Sequence, residues 1–426
     1  MNRLDGEAMY FGDSNDAFNP GANGSDMPLS LKWSGVTKND LQTLGLFGGP
    51  NSRALQGMIA CLFAASSVGV WVSYSRNKQF YSDKRRYLGP QYTYRRILAL
   101  VDLLVSKGMI EEERASRSSF GWQSRIRATD RLLSAPLNWS SVTASEKHET
   151  IQLKNKAKHL IDYDDTDHTN AMRCRMRRHN EIFRNAVLGS TDAALDLSKP
   201  CLKLDGQIVN PGNRATYRVF NEDWQHGGRL YGAFWQHLPK YRRAQLTIDE
   251  SPTVELDYAE LHAQLLYACC GGVSPGRCYR MEGWDRSLVK MAWQIMINAN
   301  SRPKAAKALV FNIADPDKYP DFDEYTARRL LRALELRHGP ISAYFYSGVG
   351  RRLQFLDSEL LLDVLDRCHD CGIVALPIHD SVIVRQDCSA RVSEIMEEQL
   401  QRKLEVLRRG EHPLAGSVEF ATVCEA

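Results

Sequence analysis

The chain has little net charge for its length, no internal repeat, and no low-complexity tract beyond its N-terminal tail. Its 426 residues carry 55 lysines and arginines against 51 aspartates and glutamates, for a net charge of +4, and 43% of the residues are hydrophobic. These proportions are typical of an ordinary globular protein. At this length we predict two or three domains, which excludes a staple-dependent mini-protein and a coiled-coil rod.

The spacing of a zinc finger is also missing. Ten cysteines are spread along the chain, and the CxxC formed by Cys368 and Cys371 is not followed by a second CxxC or a CxxH. We therefore expect these two thiols to pack in the core. The polar, acidic N-terminus lacks the pattern of a signal peptide, so we expect reduced thiols and a cytoplasmic protein, in the bacterial cytoplasm or nucleoid.

Long apolar runs are scarce. The 21 residues from Ala54 to Tyr74 contain no charge, which formally reaches the length of a membrane span. Gln56, three serines and two glycines dilute this run, and a basic segment follows it. We therefore predict a buried helix with a turn, and no membrane partner.

The first third of the chain predicts a tail and a DNA-binding unit. Residues 1–45 are rich in Gly, Asn, Asp and Ser and have too few apolar positions to fold alone, so we predict a flexible tail. A helix over about Ser52–Ser66, a second helix over Tyr92–Lys107 and a two-stranded hairpin then follow. This is the order of a winged helix-turn-helix, which we predict over residues 46–135.

Positive charge supports a polyanionic partner for this unit. Between positions 76 and 131, thirteen lysines and arginines stand against six aspartates and glutamates. We predict that Arg95 and Arg96 face a DNA groove and that Arg125 and Arg127, on the hairpin, contact phosphates. The alternatives are a protein-binding winged helix, a plain scaffold and a solvated charged face.

A helical, basic, thumb-like segment is predicted over residues 136–220. The helical pattern covers about Ser141 to Val187, and its second half holds Arg173, Arg175, Arg177, Arg178 and Arg184.

Two acids end apolar strand patterns in the last part of the chain. Thr253 to Asp257 is a β-branched and apolar run that ends in an acid, and Gly372 to Val384 predicts a hairpin with Asp380 in its turn. Two carboxylates brought to one edge are suitable ligands for a pair of Mg²⁺ or Mn²⁺ ions. Strand-end acids are common structural features as well, so this pair alone is weak evidence.

Two basic motifs accompany the acids. Arg286 and Lys290 are four residues apart on a predicted helix, so both project from one face and together could hold a triphosphate. The alternative for this pair is a solvated helix face. The second motif, Gly228 to Tyr231, has the sequence GRLY and ends 26 residues before Asp257.

In this order the motifs resemble the palm and fingers of family A DNA polymerases and of the single-subunit RNA polymerases of phages and mitochondria. DYAELHAQLLYA is similar to motif A, RSLVKMAWQIMINA to motif B and LPIHDSVIV to motif C. The likeness covers about residues 221–385. It implies an α+β or α/β fold, with a right-hand palm over 221–426 and fingers inserted at about 272–350.

The resemblance also assigns roles to residues of the catalytic centre. It implies that Asp257 and Asp380 are catalytic and bind the metal ions, which are Mg²⁺ or Mn²⁺. Arg286 and Lys290 would contact the triphosphate of an incoming NTP or dNTP, and Tyr258 would contribute to nucleotide binding.

A nucleic-acid template is the partner that the resemblance implies, either DNA or RNA. Arg229 would contact the backbone of the template or primer, and His379 would lie beside the primer terminus. Ser381 matches the RNA polymerase version of motif C, whereas DNA polymerases usually carry Glu there.

Two departures concern the sugar. His262 stands where the DNA polymerase pattern has a Glu that blocks a ribose 2′-hydroxyl, and Asn298 stands where both families have an aromatic residue. A smaller polar pair could accept a 2′-hydroxyl, so we predict that His262 and Asn298 bind the nucleotide and that ribonucleotides are used, alone or alongside deoxyribonucleotides.

A proofreading exonuclease has no room in this chain, so we predict a primase-polymerase or small transcriptase of a phage or mobile element. One alternative is a non-catalytic winged-helix replication initiator or transcriptional regulator with a relic palm. Another is a Mg²⁺-dependent nuclease, whose chemistry has no need of the RxxxK helix between the acids.

Overall fold

The computed structural model describes residues 26–46, 51–82, 85–115, 123–144, 149–313, 319 and 321–410. Within these residues the chain is a mixed α/β structure with several sheets. Its buried apolar side chains form three cores. One core lies in the N-terminal part, one beneath a five-stranded sheet, and one inside a helical region inserted between two strands of that sheet.

The N-terminal part is built on a four-stranded sheet of order β1-β3-β5-β4. Its elements are β1 (Met27–Pro28), β2 (Trp33–Ser34), α1 (Lys38–Thr43), α2 (Ser52–Ser66), β3 (Val72–Tyr74), α3 (Lys78–Ser82), α4 (Arg85–Leu88), α5 (Tyr94–Ser106), β4 (Ile110–Glu113), β5 (Ser124–Ala128), α6 (Asp130–Leu133) and β6 (Thr143–Ala144). Helix α5 buries Ile97, Leu100, Val101 and Leu104 on one face. Gly108 ends the helix in the left-handed conformation at φ 64.

The charge-free run folds as a helix, a turn and a strand. Ten of the fifteen residues of α2 are buried, which explains why this run carries no charge. No helix in the described ranges is both long and apolar enough to cross a membrane. The buried helix predicted here is therefore confirmed.

The tail predicted over residues 1–45 is wrong for its second half. Residues 26–45 contain two short strands and helix α1, and Leu29 and Leu41 are buried in the N-terminal core at 1% and 2% exposure. Thr37 caps α1 through a reciprocal pair of hydrogen bonds with Asp40. Residues 1–25 lie outside the described part of the chain.

The middle of the chain holds short strands around one long helix. The helical segment predicted over residues 136–220 is therefore confirmed only for its basic part, a helix over Asp167–Asn185, and is wrong for the rest, where the described residues form short strands and loops. The elements of the middle part are β7 (Ile151–Lys154), α7 (Asp167–Asn185), β8 (Leu188–Ser190), β9 (Leu202–Leu204), β10 (Gln207–Val209), β11 (Tyr217–Asn221), β12 (Gly227–Tyr231), α8 (Lys240–Arg243), β13 (Leu246–Ile248) and β14 (Ser251–Asp257). Strand β8 joins the five-stranded sheet beside β13, so this segment contributes to the same layer as the acidic motifs.

In its described residues, the C-terminal part consists of five helices, a hairpin of the last two strands and a final helix. Its elements are α9 (Leu261–Cys269), α10 (Arg286–Asn298), α11 (Arg302–Phe311), α12 (Glu324–Arg337), α13 (Gly350–Asp370), β15 (Leu376–Ile378), β16 (Ser381–Arg385) and α14 (Ser389–Arg408). The five-stranded sheet is antiparallel throughout and has the order β15-β16-β14-β13-β8.

Several arginines of α7 form ion pairs with acids instead of a basic surface. Arg173 is 7% exposed and bonded to Glu149, and Arg175 bonds Asp363 at 2.8 Å. Arg178 continues the pattern with Asp370, also on α13, at 2.5 Å. Arg175 and Arg178 therefore attach α7 to α13, while Arg173 attaches it to Glu149, so these three arginines do not form a free basic face.

Candidate active site

Backbone pairing between β14 and β16 brings the two acidic motifs to one edge of the five-stranded sheet. Asp257 ends β14 and is the register partner of Ser381, the first residue of β16. His379 and Asp380 form the turn between β15 and β16, with His379 in the left-handed region at φ 47. The predicted strand end and hairpin are confirmed.

The electrostatics of Asp257 indicate that Asp380 lies close to it. Burial within the walls of the site and the negative charge of Asp380 raise the pKa of Asp257 to about 6, while the positive charge of Lys290 acts in the opposite direction. Two carboxylates that oppose each other's ionisation form a site that a cation stabilises.

Both acids line a cleft of about 390 Å³, a volume within the range of small-ligand sites. The cleft has the two acids of the sheet edge, Asp257 and Asp380, a third acid, Glu260, at the start of α9, and four basic side chains from the helical region. The four bases are Arg277, Arg280, Arg286 and Lys290. None of the four forms an ion pair with a described residue, which distinguishes them from the paired arginines of α7.

Helix α10 presents Arg286 and Lys290 to the cleft because its other face is buried. Asp285 caps the helix by accepting from the backbone N–H of Ser287 and Leu288, and Val289 and Trp293 are completely buried. The expectation that the two bases share one helix face is confirmed.

The place predicted for Asn298 is wrong. Its side chain donates to the Gln294 carbonyl at 2.8 Å and lies against Gly350, where a Cβ would come within 2.1 Å of the Asn298 Oδ1. Asn298 does not line the cleft, whereas Gln294 does. Gln294 stands one helical turn after Lys290, so helix periodicity was the signal that could have identified it.

His262 lines the cleft as predicted, and a buried acid orients it. The Nε2 of His262 is 2.8 Å from Oδ2 of Asp357, which is 1% exposed on α13. The pKa of Asp357 is lowered, so its carboxylate is ionised and can only accept hydrogen bonds. Nε2 of His262 therefore carries the hydrogen of this bond. When the ring is neutral, Nδ1 is then a hydrogen-bond acceptor.

Tyr258 lines the cleft, but its hydroxyl points elsewhere. The hydroxyl donates to the backbone carbonyl of Met396 on α14 at 2.8 Å, and burial raises its pKa. Tyr258 therefore anchors the end of β14 to the C-terminal helix, and only its other atoms reach the cleft.

Arg229 is not available to a nucleic-acid backbone in this conformation. It is 3% exposed, and its Nε is 3.2 Å from each carboxylate oxygen of Asp357. A buried, ion-paired guanidinium cannot also face a phosphate, so the contact with a template or primer is not made in this conformation and stays a prediction. Asp357 instead joins Arg229 of β12 to His262 of α9.

His379 lies next to Asp380 in the hairpin turn but does not line the cleft. Burial, together with the positive charge of Arg229, lowers the pKa of His379 to about 4. Its ring makes an edge contact with Tyr231, with 6.0 Å between ring centroids. His379 is therefore neutral at pH 7, and its place beside a primer terminus stays a prediction.

The basic residues predicted in the N-terminal part are mostly engaged within the chain. Arg125 and Arg127 pair with Glu113 and Glu111, and both guanidinium groups lie over the ring of Trp71, at 4.7 and 4.6 Å. These pairs neutralise the two hairpin cations, so their contact with phosphates stays a prediction.

The two helix arginines differ from each other. Arg96 donates to the side-chain oxygen of Asn51 at 2.7 Å, whereas Arg95 is exposed and has no hydrogen bond or ion pair within the described ranges. Arg95 is therefore an exposed cation without a hydrogen bond or ion pair among the described residues, whereas Arg127 is also exposed but is paired with Glu111. None of the four lines the cleft.

The donor set suits Mg²⁺ or Mn²⁺ bound together with a phosphate ligand. Over the described residues, no three His, Cys, Asp or Glu side chains gather into a metal-binding group. Mg²⁺ is usually held by one or two carboxylates, with waters and substrate phosphates completing its shell, and Asp257 and Asp380 supply that number. The acids therefore fit the metal that the motifs imply.

Comparison with known proteins adds no family to this picture. No protein-family model matches the chain, and no curated protein matches it. The chemistry of the site therefore follows from its own residues.

Proposed function

We propose that the protein is a template-directed nucleotidyltransferase that extends a 3′-hydroxyl with nucleotides by two-metal-ion catalysis. The single observation that carries this proposal is the composition of the cleft, in which two neighbouring carboxylates face four bases that form no ion pair with the described residues. Acids that hold hard cations next to bases that hold phosphates form the arrangement that phosphoryl transfer needs.

Each residue of the cleft has a definite task in this reaction. Asp257 and Asp380 hold the metal ions at the sheet edge, and Arg286 and Lys290 bind the phosphates from the exposed face of α10. When bound, the metal ions lower the pKa of the attacking hydroxyl and neutralise charge on the transferring phosphate. Arg286 and Lys290 stabilise the pyrophosphate as it leaves.

Ribonucleotides are the substrates that His262 favours. Asp357 fixes the ring so that Nε2 donates to the carboxylate, which leaves Nδ1 as an acceptor for a sugar hydroxyl. A 2′-hydroxyl can donate to this nitrogen, whereas deoxyribose has no group to do so. Incorporation of dNTPs alone on a primed template would contradict this choice.

The N-terminal part would recognise the nucleic acid. Its order of helix, strand, two short helices, long helix and hairpin, with β3, β5 and β4 as neighbours in the sheet, supports a winged helix-turn-helix. Arg95 is the exposed cation on the long helix. A polymerase core with this unit fits a primase-polymerase or a small transcriptase of a phage or mobile element.

The proposal is tested by incubating the protein with Mg²⁺, labelled NTPs or dNTPs, and single-stranded DNA or RNA, with and without a primer. The comparison is a double variant, Asp257→Asn with Asp380→Asn. The matched control is Asp249→Asn, which removes an acid from the other end of the β13–β14 hairpin, where Asp249 has φ 50, a conformation that Asn also adopts.

We expect template-dependent product from the native protein and the control, and none from the double variant. Absence of product with every template, metal and sugar would contradict the proposal. If residues 26–144 then bound duplex DNA in a sequence-specific manner, the protein would be a winged-helix regulator whose cleft has no catalytic role.

A further inference from the structure

The loop between α9 and α10 adds two bases to the cleft that the helix motif does not explain. Arg277 and Arg280 are exposed and line the cleft, together with Arg286 and Lys290. Neither loop arginine forms a side-chain hydrogen bond or an ion pair with a described residue. An exposed base without an acid partner that faces a cleft is suited to bind an anionic ligand.

The two residues between these arginines fix the loop in place. Cys278 and Tyr279 are buried at 0% and 4% exposure, and the Tyr279 ring makes an edge contact with Trp293 of α10, with 5.5 Å between centroids. The Cys278 carbonyl accepts from Nε2 of His338 at 3.2 Å. Because this inner pair is packed into the helical core, the arginines on either side of it are held at the surface.

Glu260 connects this loop to the strand that ends in Asp257. One of its carboxylate oxygens accepts from the backbone N–H of Cys278 at 3.0 Å, and the other accepts from that of Tyr279 at 3.4 Å. Glu260 itself has the left-handed conformation, φ 55 and ψ 35, which is unfavourable for a residue with a Cβ. Its hydrogen bonds to the loop stabilise that conformation.

The charge of Glu260 is thus committed to the backbone of the loop and not to either arginine side chain. It stands three positions after Asp257 and at the start of α9. A single residue therefore sets the position of the basic loop relative to the acidic edge of the sheet.

We propose that Arg277 and Arg280 form a second polyphosphate-binding arm of the cleft and that Glu260 is the positioning residue that holds it. The ligand is a chain of three phosphates, as in a nucleoside triphosphate, because the four bases that line the cleft offer more positive charge and more N–H donors than a single phosphate group can use. The inference deepens the proposed function and rests on it for the identity of the nucleotide.

The test measures binding of inorganic tripolyphosphate, pyrophosphate, ATP and AMP to the full chain by titration calorimetry with Mg²⁺ present. We expect Arg277→Ala with Arg280→Ala to weaken binding of tripolyphosphate and ATP about 10- to 100-fold and to leave AMP nearly unchanged. The matched control is Arg402→Ala with Arg409→Ala, which removes the same charge from exposed positions at the end of α14. The control should bind tripolyphosphate as the native protein does.

The role of Glu260 needs a readout that a simple loss of structure would not give. Glu260→Gln keeps an oxygen acceptor for the loop, so tripolyphosphate affinity should stay within about threefold of native, whereas Glu260→Ala should approach the arginine variant. Circular dichroism and the melting temperature identify any variant that has not folded. Equal affinities of Glu260→Gln and Glu260→Ala would overturn the positioning role.

The outcome separates this inference from the proposed function. If the native protein incorporates nucleotides but the double arginine variant binds tripolyphosphate normally, the second arm is wrong and the proposed function stands. If the native protein incorporates none, yet binds tripolyphosphate through Arg277 and Arg280, the arm is right and the cleft serves another phosphate ligand. If the arginine variant and the control lose affinity equally, only overall charge matters and the inference is overturned.

Discussion

Asp257 and Ser381 are direct neighbours across β14 and β16, and their pairing places Asp257 next to Asp380. The consequence is electrostatic, since burial and the nearby charge of Asp380 raise the pKa of Asp257 to about 6. The two acids thus repel each other unless a cation lies between them.

Binding of Mg²⁺ should weaken as the pH falls through about 6. A proton on Asp257 competes with the metal, so the affinity should decrease by about tenfold per pH unit at pH values well below the pKa. Titration calorimetry between about pH 5 and pH 8 measures this dependence. Asp249→Asn should keep the native profile, and an affinity independent of pH across this range would contradict the assignment of Asp257 as a metal ligand.

Without metal, Asp257→Asn should stabilise the fold at neutral pH. The folded-state pKa of Asp257 lies above its unfolded value, so the native state binds more protons between about pH 4 and pH 6 and its stability falls as the pH rises through that window. The full pKa shift would correspond to about 3 kcal/mol in the free energy of unfolding. Solvent screening of the Asp257 carboxylate, which faces the open cleft, reduces this difference to about 1 kcal/mol.

Urea denaturation with a chelator present measures this difference. We expect the variant to exceed the native protein in free energy of unfolding at about pH 7.5 and to match it near about pH 3, where Asp257 is mostly protonated in both states. A variant that is less stable than the native protein at pH 7.5 would show that the two acids do not repel each other.

The Asp357 carboxylate supports the cleft from behind, and Asp357→Asn should destabilise the fold by about 3–5 kcal/mol. The substitution leaves the buried Arg229 guanidinium without a negative partner and leaves one oxygen acceptor where two now serve Arg229 and His262. Asp363→Asn is the matched control on the same helix, because Asp363 is 41% exposed and pairs with the partly exposed Arg175.

For the control, Asp363→Asn, we expect the free energy of unfolding to fall by less than about 1 kcal/mol. Urea unfolding at neutral pH compares the two variants with the native protein. Similar losses in both variants would mean that the buried pair has no special weight. A native-like stability of Asp357→Asn would show that Arg229 finds another partner.

Much of this site follows from the sequence because strands and helices impose fixed periods. The strand that ends at Asp257, the hairpin around Asp380 and the helix face of Arg286 and Lys290 each depend on only a few neighbouring residues. Local pattern was therefore sufficient to define these four side chains one by one, whereas it was the resemblance of the motif order that predicted their grouping in one cleft.

Pairing between distant residues was not visible in the sequence. Arg229 lies within a motif, but its partner Asp357 is 128 residues away, so its burial could not be deduced from neighbouring positions. In the same way, the arginines of α7 look like a basic surface until α13 supplies Asp363, Asp366 and Asp370. Charge that is neutralised across the fold has no local signature.

Short strands were a second source of error. Strands such as β7 and β8 have only four and three residues, and β8 is held by its pairing with β13 rather than by its own composition. A helical pattern over residues 141–187 was therefore overridden in its first half by contacts with distant strands, of which β7 with β11 is one.

Gln294, and not Asn298, should contribute to nucleotide binding. Gln294 lines the cleft next to Lys290, whereas the Asn298 amide bonds the Gln294 carbonyl and contacts Gly350. We expect Gln294→Ala to weaken ATP binding about 3- to 10-fold, the effect of losing one hydrogen bond, and Asn298→Ala to leave it within about twofold. Calorimetry with Mg²⁺ and ATP measures both, and the reverse order would contradict this position of α10.

The contact between α7 and α13 should make the fold sensitive to mild acid. His179 and His369 face each other with 3.0 Å between their Nδ1 atoms, and burial together with the positive charges of Arg175 and Arg178 lowers the pKa of His179 to about 3. Burial lowers the pKa of His369 to about 4, although Asp370 acts against this shift. Both rings are therefore neutral in the folded protein at pH values where an unfolded histidine is protonated.

The sign of the effect follows from that difference. Below about pH 6.5 the unfolded chain binds protons at these two histidines and the folded chain does not, so stability should fall by about 3 kcal/mol between pH 6.5 and pH 4.5. His369→Gln should remove about half of this loss of stability with falling pH. His168→Gln should keep the whole dependence of stability on pH, because His168 is at an exposed position in the first turn of α7, the helix that carries His179. An unchanged pH dependence in His369→Gln would assign the acid sensitivity to other groups.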